Sequence, residues 1–197
     1  MHAVAIDGKR GIVMRRQMRA MGSEQRGFSL FELIVTIVIV AVLGALALPN
    51  FGSTLRSGRM TTEANDLLGA INMARGEAIT RAAPVSICPS ADGTACTTDA
   101  ATWAGGWMVF VDYGNPGELN AADGDVVLRI WAKIDPKDSL TTATTYVRFA
   151  PTGSAEFGAG DTEQTRFLLK PEQCATDQGR AIEVGALGRA NTQRTCT

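Results

Sequence analysis

The chain has 197 residues, of which 45% are hydrophobic, and its 19 Lys and Arg against 20 Asp and Glu leave a net charge of -1. It contains one histidine, His2, and no serine within a Gly-x-Ser-x-Gly sequence. Beyond His2, the chain therefore offers no imidazole that could activate a serine or complete the usual zinc sites. We predict that the protein is not an enzyme and that it holds no metal or cofactor.

Residues 1–27 form a basic leader, and an apolar segment from Phe28 to Leu48 follows it with Glu32 as its single charge. This segment has about 21 residues, or roughly 31 Å of helix, which is enough to cross a bilayer core of about 30 Å. We therefore predict a transmembrane helix over residues 28–49. The leader's cations predict that the N-terminus stays in the cytoplasm; they are Lys9, Arg10, Arg15, Arg16, Arg19 and Arg26.

The junction of leader and span, Arg26-Gly27-Phe28-Ser29-Leu30-Phe31-Glu32, resembles the class III signal of type IV pilins and type II secretion pseudopilins. The resemblance implies that a prepilin peptidase and N-methyltransferase cuts after Gly27 and methylates Phe28. It also implies that Glu32 neutralises the new amino group of a neighbouring subunit during assembly. The implied partners are other pilins or pseudopilins, through the N-terminal helix, and the assembly platform of the bacterial inner membrane.

An ordinary signal anchor with an incidental Glu32 is the alternative. A secretory signal, however, places its apolar core before the cleavage site, whereas here the core follows the site. A charge inside a span also costs about 2.5–3.5 kcal/mol on insertion scales, so Glu32 calls for a function. Once the leader is removed, His2 is lost and 13 Lys and Arg face 18 Asp and Glu. This acidic balance argues against bulk electrostatic binding of nucleic acid.

Beyond Pro49, apolar residues recur mostly at steps of three or four, which predicts an amphipathic helix over residues 50–83. Pro84 ends it, because proline disfavours helix at the preceding residue. Together with the span it forms one predicted helix, in which Pro49 is the place for a kink. The apolar stripe comprises Phe51, Leu55, Met60, Ala64, Leu67, Leu68, Ile71, Ala74, Ala78 and Ile79.

Residues 84–197 are predicted to form one β-rich periplasmic domain, because short apolar runs alternate there with Gly, Pro, Asp and Asn. Six such runs predict an antiparallel sheet whose apolar face the helical stripe covers. The fold class is therefore α+β, and the resemblance implies the same arrangement, the type IV pilin fold. The predicted strands are Val85 to Cys88, Trp107 to Val111, Val126 to Trp131, Tyr146 to Phe149, Arg166 to Leu169 and Ala181 to Val184.

Four cysteines, all beyond the predicted span, indicate disulfides in an exported domain, and three pairings are possible. Nearest spacing favours Cys88 with Cys96 and Cys174 with Cys196. A metal site is the alternative, but no pair has the Cys-x-x-Cys spacing.

Three further segments resemble the FimT and FimU minor pilins and the H pseudopilin of type II secretion. They are Trp103 to Arg129, Phe149-Ala150-Pro151-Thr152-Gly153 and Gly188-Arg189. Without the family, Trp103 and Trp107 flank a Gly-Gly turn and anchor a hairpin in the core. Acidic and amide residues of the first segment fit either turns or a calcium loop, and turn chemistry is favoured because their spacing differs from the EF-hand pattern. These residues are Asp112, Asn115, Asp123 and Asp125.

The C-terminal tail raises the question of DNA binding. Some FimT-like minor pilins bind DNA through a Gly-Arg-x-Arg sequence, and this chain has Gly188-Arg189-Ala190-Asn191 without the second arginine. With Cys174 and Cys196 bridged, Arg180, Arg189 and Arg194 converge on one predicted cationic patch. The alternative is three solvated surface arginines.

The resemblance implies a minor pilin that joins a type IV pilus, primes or caps its assembly and supports adhesion, twitching motility or DNA uptake. Two alternatives stay open. One is the H-type pseudopilin of a type II secretion system, and the other is a DNA-binding receptor pilin for natural transformation.

Overall fold

The computed structural model describes residues 27–158, 163–174 and 177–196, with the side chains of residues 46–51 excepted. The predicted leader, except Gly27, lies outside the described residues. The chain divides into two units, Met1–Leu46 and Ala47–Thr197.

Helix α1 runs from Leu30 to Arg81, so the predicted long helix is present and ends three residues before Pro84. The first unit contains its N-terminal part, in which the apolar side chains are exposed. In the second unit the helix buries a stripe that matches the predicted periodicity at Met60, Ala64, Leu67, Ile71, Ala74 and Ala78. Two members of the predicted stripe, Leu55 and Ile79, are instead 60% and 51% exposed and do not belong to the covered face.

Nine strands follow in the described part of the chain, and they form two antiparallel sheets. The five-stranded sheet has the order β3-β2-β1-β5-β6, and the four-stranded sheet has the order β4-β7-β8-β9. The strands are β1 Val85–Pro89, β2 Trp107–Val111, β3 Val126–Trp131, β4 Asp138–Thr141, β5 Val147–Phe149, β6 Ala155–Phe157, β7 Gln164–Pro171, β8 Gly179–Gly185 and β9 Ala190–Thr195.

The prediction of a single sheet was wrong, although all six predicted strands are present. The three unpredicted strands are β4, β6 and β9. Strand β6 has only three residues, and β4 and β9 are polar on most positions, so none carries the apolar run by which strands are recognised. They lie at the edges of the two sheets, where one side of the strand has no partner to pack against.

The core of the second unit lies between the helical stripe and the two sheets. Trp103 belongs to a 3₁₀ helix, Ala100–Gly105, rather than to the predicted hairpin. Its ring meets Phe167 of β7 edge-on at 4.8 Å, and its Nε1 donates to the Thr144 carbonyl at 2.9 Å. Trp107 begins β2 and stacks on Trp131 of β3 at 6.5 Å. The two buried indoles thus anchor one sheet each.

Candidate functional site

The predicted processing site lies at the start of helix α1. Ser29 precedes the helix, and its side-chain oxygen accepts a hydrogen bond from the Phe31 N–H at 3.3 Å, as an N-cap does. Phe28 is 81% exposed, and Glu32 stands exposed in the first helical turn. A carboxylate there is favoured by the helix dipole. Ser29 therefore caps the start of the helix, and the Glu32 side chain lies exposed in the turn that follows.

The helical part of the first unit presents apolar side chains on all sides. Among its exposed residues are Leu30, Phe31, Ile37, Val40 and Leu43. No helix within the described residues is long and apolar enough to cross a membrane. The predicted span runs to Leu48, and the side chains of residues 46–51 are not among those described.

A cluster of charges in the second unit joins the helix to the β3–β4 loop and to the first residue of β4. Arg59 donates to both oxygens of Asp138, from Nε to Oδ2 at 2.6 Å and from Nη2 to Oδ1 at 2.9 Å. Its Nη1 also forms an ion pair with Asp135 Oδ2 at 3.3 Å. Glu63 accepts from the Asp135 N–H at 2.9 Å, while its second oxygen is buried without a hydrogen bond. Burial raises the pKa of the Glu63 carboxyl above its usual range. None of these four residues was singled out in the sequence analysis.

Two of the carboxylates weighed for calcium, Asp112 and Asp125, accept hydrogen bonds from donors in the β2–β3 loop and, for Asp112, also from β1. Asp112 accepts from Ser86 Oγ and from the Gly117 N–H, and burial raises the pKa of its carboxyl. Asp125 accepts from the N–H groups of Tyr113 and Asn120, at 2.8 and 2.9 Å. The described residues contain no group of three or more metal-type ligands. The bonds are those of turn chemistry.

Both disulfides form, with Cys88 bonded to Cys96 and Cys174 bonded to Cys196. The first closes the loop after β1. The second ties the residue after β9 to the loop between β7 and β8.

The three tail arginines do not form one patch. Arg180 of β8 and Arg194 of β9 are register partners, but Arg180 is only 5% exposed. Arg189 precedes β9, five residues from Arg194, which is about 16 Å along an extended chain. It lines a separate groove together with Glu163 and Glu183. The prediction of convergence was therefore wrong, because β9 spreads Arg189 and Arg194 along its length.

Two of the sequence segments that carried the family resemblance contact each other. Arg75 Nε donates to the Gly153 carbonyl at 3.0 Å, and its Nη2 donates to the Leu187 carbonyl at 3.3 Å. Gly188 has φ +71°, and a Cβ there would lie 2.1 Å from the Gly153 oxygen. Glycine is therefore required at Gly188 by close approach as well as by conformation. Arg75 was missed in the sequence because it shares the polar face with many solvated residues.

Two family descriptions match the chain: "Prokaryotic N-terminal methylation motif" over residues 22–48, and "Type II transport protein GspH" over residues 63–188. The chain belongs to the GspH family. Its fold is similar to that of the type IV minor pilin FimU of Pseudomonas aeruginosa (strain PAO1) in two crystal forms, with TM-scores of 0.52 and 0.50 at 17% identity. The matches cover 71% and 70% of this chain and 96% and 94% of the FimU chains. No curated protein matches the chain in sequence.

Membership in the GspH family, with the FimU fold, makes this chain a pilin-like structural subunit and not an enzyme. The N-terminal motif implies processing by a prepilin peptidase and assembly with other pilins. Proteins of this kind are membrane-anchored and associated with pili or pseudopili. The predicted α+β fold, with a long helix packed on antiparallel strands, is confirmed.

Proposed function

We propose that the chain is a minor pilin that is cut between Gly27 and Phe28, methylated on Phe28 and incorporated into a type IV pilus. The observation that carries the proposal is the exposed Glu32 in the first turn of α1, four residues after the new terminus. The β-rich domain of residues 84–197 then lies in the periplasm, and residues 28–49 anchor it as a single span in the inner membrane until assembly.

The chemistry of assembly follows from two charges in apolar surroundings. Cleavage exposes the amino group of Phe28, and Glu32 of one subunit neutralises that amine on its neighbour. A hydrogen-bonded charge pair contributes about 1.5–3 kcal/mol. The exposed apolar side chains of α1 supply the rest of the association as helices bury them against one another.

Replacing Glu32 by Gln tests the pairing, because the amide keeps the size of the side chain and removes its charge. Cleavage after Gly27 is expected to continue, while recovery of the chain in sheared filaments falls at least tenfold, the equivalent of about 1.4 kcal/mol. Glu77→Gln is the matched control, since Glu77 lies on the same helix and pairs locally with Arg81. Equal recovery of the Glu32→Gln variant and the wild type would reject the pairing.

The alternative within the family is the H-type pseudopilin of a type II secretion system, which the name of the matching family supports. Deletion of the gene separates the two functions. Loss of pili with normal protein secretion supports the minor pilin, and the reverse supports the pseudopilin. The neighbouring genes give an independent answer, as pilus genes or as secretion genes.

DNA binding by the tail is the third function, and it depends on Arg189 and Arg194, because Arg180 is buried. Its test is a gel-shift titration of the full chain in detergent, at two salt concentrations, against Arg189→Gln and Arg194→Gln. A phosphate-binding tail loses affinity in both variants and at the higher salt. Equal retention of DNA by the wild type and the variants rejects it.

A further inference from the structure

Strand β9 is the outermost strand of the four-stranded sheet. It pairs with β8 in an unbroken register of six residue pairs, from Gly179 with Thr195 to Val184 with Ala190. It contains neither proline nor a bulge, and residues 191–194 are exposed. Edge strands are commonly blocked by such features or by several charges, because an open edge is a template for another strand. The only charge on β9 is Arg194.

The hairpin turn sets which backbone groups of β9 are open. The Gly185 N–H donates to the Arg189 carbonyl at 3.0 Å. Because antiparallel pairs alternate, this bond directs Asn191, Gln193 and Thr195 toward β8. The N–H and C=O groups of Ala190, Thr192 and Arg194 therefore point away from the sheet. These groups form a regular row to which the backbone of an added strand could hydrogen-bond.

Two like charges lie side by side at this edge. Arg180 and Arg194 face each other across the strands at a position without direct backbone bonds, where Cα atoms are about 4.5 Å apart. Arg180 donates to the carbonyls of Asp177, Gln178 and Gly179 and to Thr61 Oγ1 of the helix. Among the described side chains, no carboxylate lies within ion-pair distance of either arginine.

The close approach of the two arginines is electrostatically unfavourable. Burial, and then the charge of Arg194, lower the pKa of the Arg180 guanidinium. Like charges placed directly opposite on neighbouring strands destabilise a sheet, and a buried charge without a counter-charge is costly. A carboxylate close to Arg194 would offset both effects.

An open groove of about 610 Å³ runs between this edge and helix α1 and provides room for such a group. Among the described residues, its helical wall consists of small side chains and no large apolar residue lines it, so this part of the groove fits polar side chains. Asp177 lies in the lining and contributes its carbonyl rather than its carboxylate to Arg180. The lining includes Ser57, Gly58 and Thr61 of the helix and Asp177 and Arg194 on the side of the sheet.

Both ends of β9 are fixed before any partner arrives. Cys196, the residue after the strand, is bonded to Cys174. At the other end, Arg75 of the helix holds the turn through the Leu187 carbonyl. A rigid edge loses little conformational freedom on binding, which favours affinity.

We propose that β9 is a docking edge for an extended acidic segment of another protein, which adds as a fifth strand and places an Asp or Glu side chain beside Arg194 in the groove. The outward N–H groups of Thr192 and Arg194 bind the added backbone, and the arginine selects the acidic residue. Strand addition of this kind takes affinity from the main chain and specificity from alternate side chains. Another filament subunit as the source of the segment rests on the proposed function; the docking edge itself does not.

The test places the photo-cross-linking amino acid p-benzoylphenylalanine at Gln193 of the full chain in living cells, and maps the adduct by mass spectrometry. The expected adduct is an extended protein segment with Asp or Glu within two residues of the linked position. Thr192→Pro removes one outward N–H without breaking a bond to β8 and is expected to lower the adduct about three- to tenfold. Thr192→Val, the matched control, keeps the N–H and the adduct.

Arg194→Gln is expected to lower the adduct by a similar factor, and Arg194→Lys to restore part of it. Absence of an adduct, an adduct to nucleic acid or to a helix, or equal yields from Thr192→Pro and Thr192→Val would overturn the proposal. Recovery of the same chains in sheared filaments is measured in parallel. A chain that forms the adduct but is absent from filaments contradicts the minor-pilin function alone.

Discussion

The ion pair between Arg59 and Asp138 gives the sharpest prediction about stability, because Arg59 binds both carboxylate oxygens and only Arg59 is partly exposed. The Asp138 carboxylate is fully buried and accepts two N–H donors, while the Arg59 side chain is 34% exposed. Hydrogen bonds to charged groups contribute about 1.5–3 kcal/mol, and the exposure of Arg59 weakens the pair through solvent screening. We expect Asp138→Asn to lower the free energy of unfolding by about 2 kcal/mol.

The exposed pair of Arg81 and Glu77 is the matched control, because it joins residues four apart on the same helix. Glu77→Gln is expected to cost no more than about 0.5 kcal/mol. Urea unfolding of the full chain in detergent, followed by tryptophan fluorescence, measures both; all three tryptophans lie in the second unit. A double-mutant cycle with Arg59→Met isolates the coupling. Equal costs for Asp138→Asn and Glu77→Gln would refute the reasoning.

Three further predictions use the same unfolding assay or hydrogen exchange. Gly188→Ala is expected to cost more than about 1 kcal/mol, because it adds a Cβ at positive φ against the Gly153 oxygen; Gly69→Ala, in open space on the helix, should stabilise by about 0.5–1 kcal/mol. Since the folded pKa of Glu63 is raised, its contribution to stability is lost as the pH rises through and above the usual glutamate range. Glu63→Gln should therefore stabilise the protein at neutral pH, and a pH-independent difference from the wild type would contradict this. Removal of the Cys174–Cys196 disulfide should cost about 3 kcal/mol and increase the exchange of the inward amides of Asn191 and Gln193 in β9, and unchanged protection of these amides would contradict the anchoring of that strand.

The helix and the central strands could be predicted because their burial is periodic in the sequence. Met60, Ala64, Leu67 and Ile71 recur at helical steps, and the same residues form the covered face. Strand β2, Trp107–Val111, is buried at every position and appears as an apolar run. In both cases one local pattern determines both the element and its contacts.

The edge strands and the polar contacts could not be predicted in that way. Strand β9 has a sequence typical of a loop and is a strand only because β8 pairs with it and Cys196 fixes its end. Arg75 and Glu63 resemble ordinary surface residues, since their partners are 78 and 72 residues away. Contacts at such separation depend on the completed fold. Arg180 is buried rather than solvated for the same reason, because it contacts Thr61 of the distant helix.

The claim that this chain is a processed filament subunit is tested most directly by intact-mass spectrometry of the chain recovered from sheared filaments. The account predicts a polypeptide that begins at Phe28, carries one methyl group on its amino terminus and has lost four hydrogens to its two disulfides. Recovery of a chain that retains the leader, that begins elsewhere, or that is found only in the cell membrane while filaments are present would contradict it.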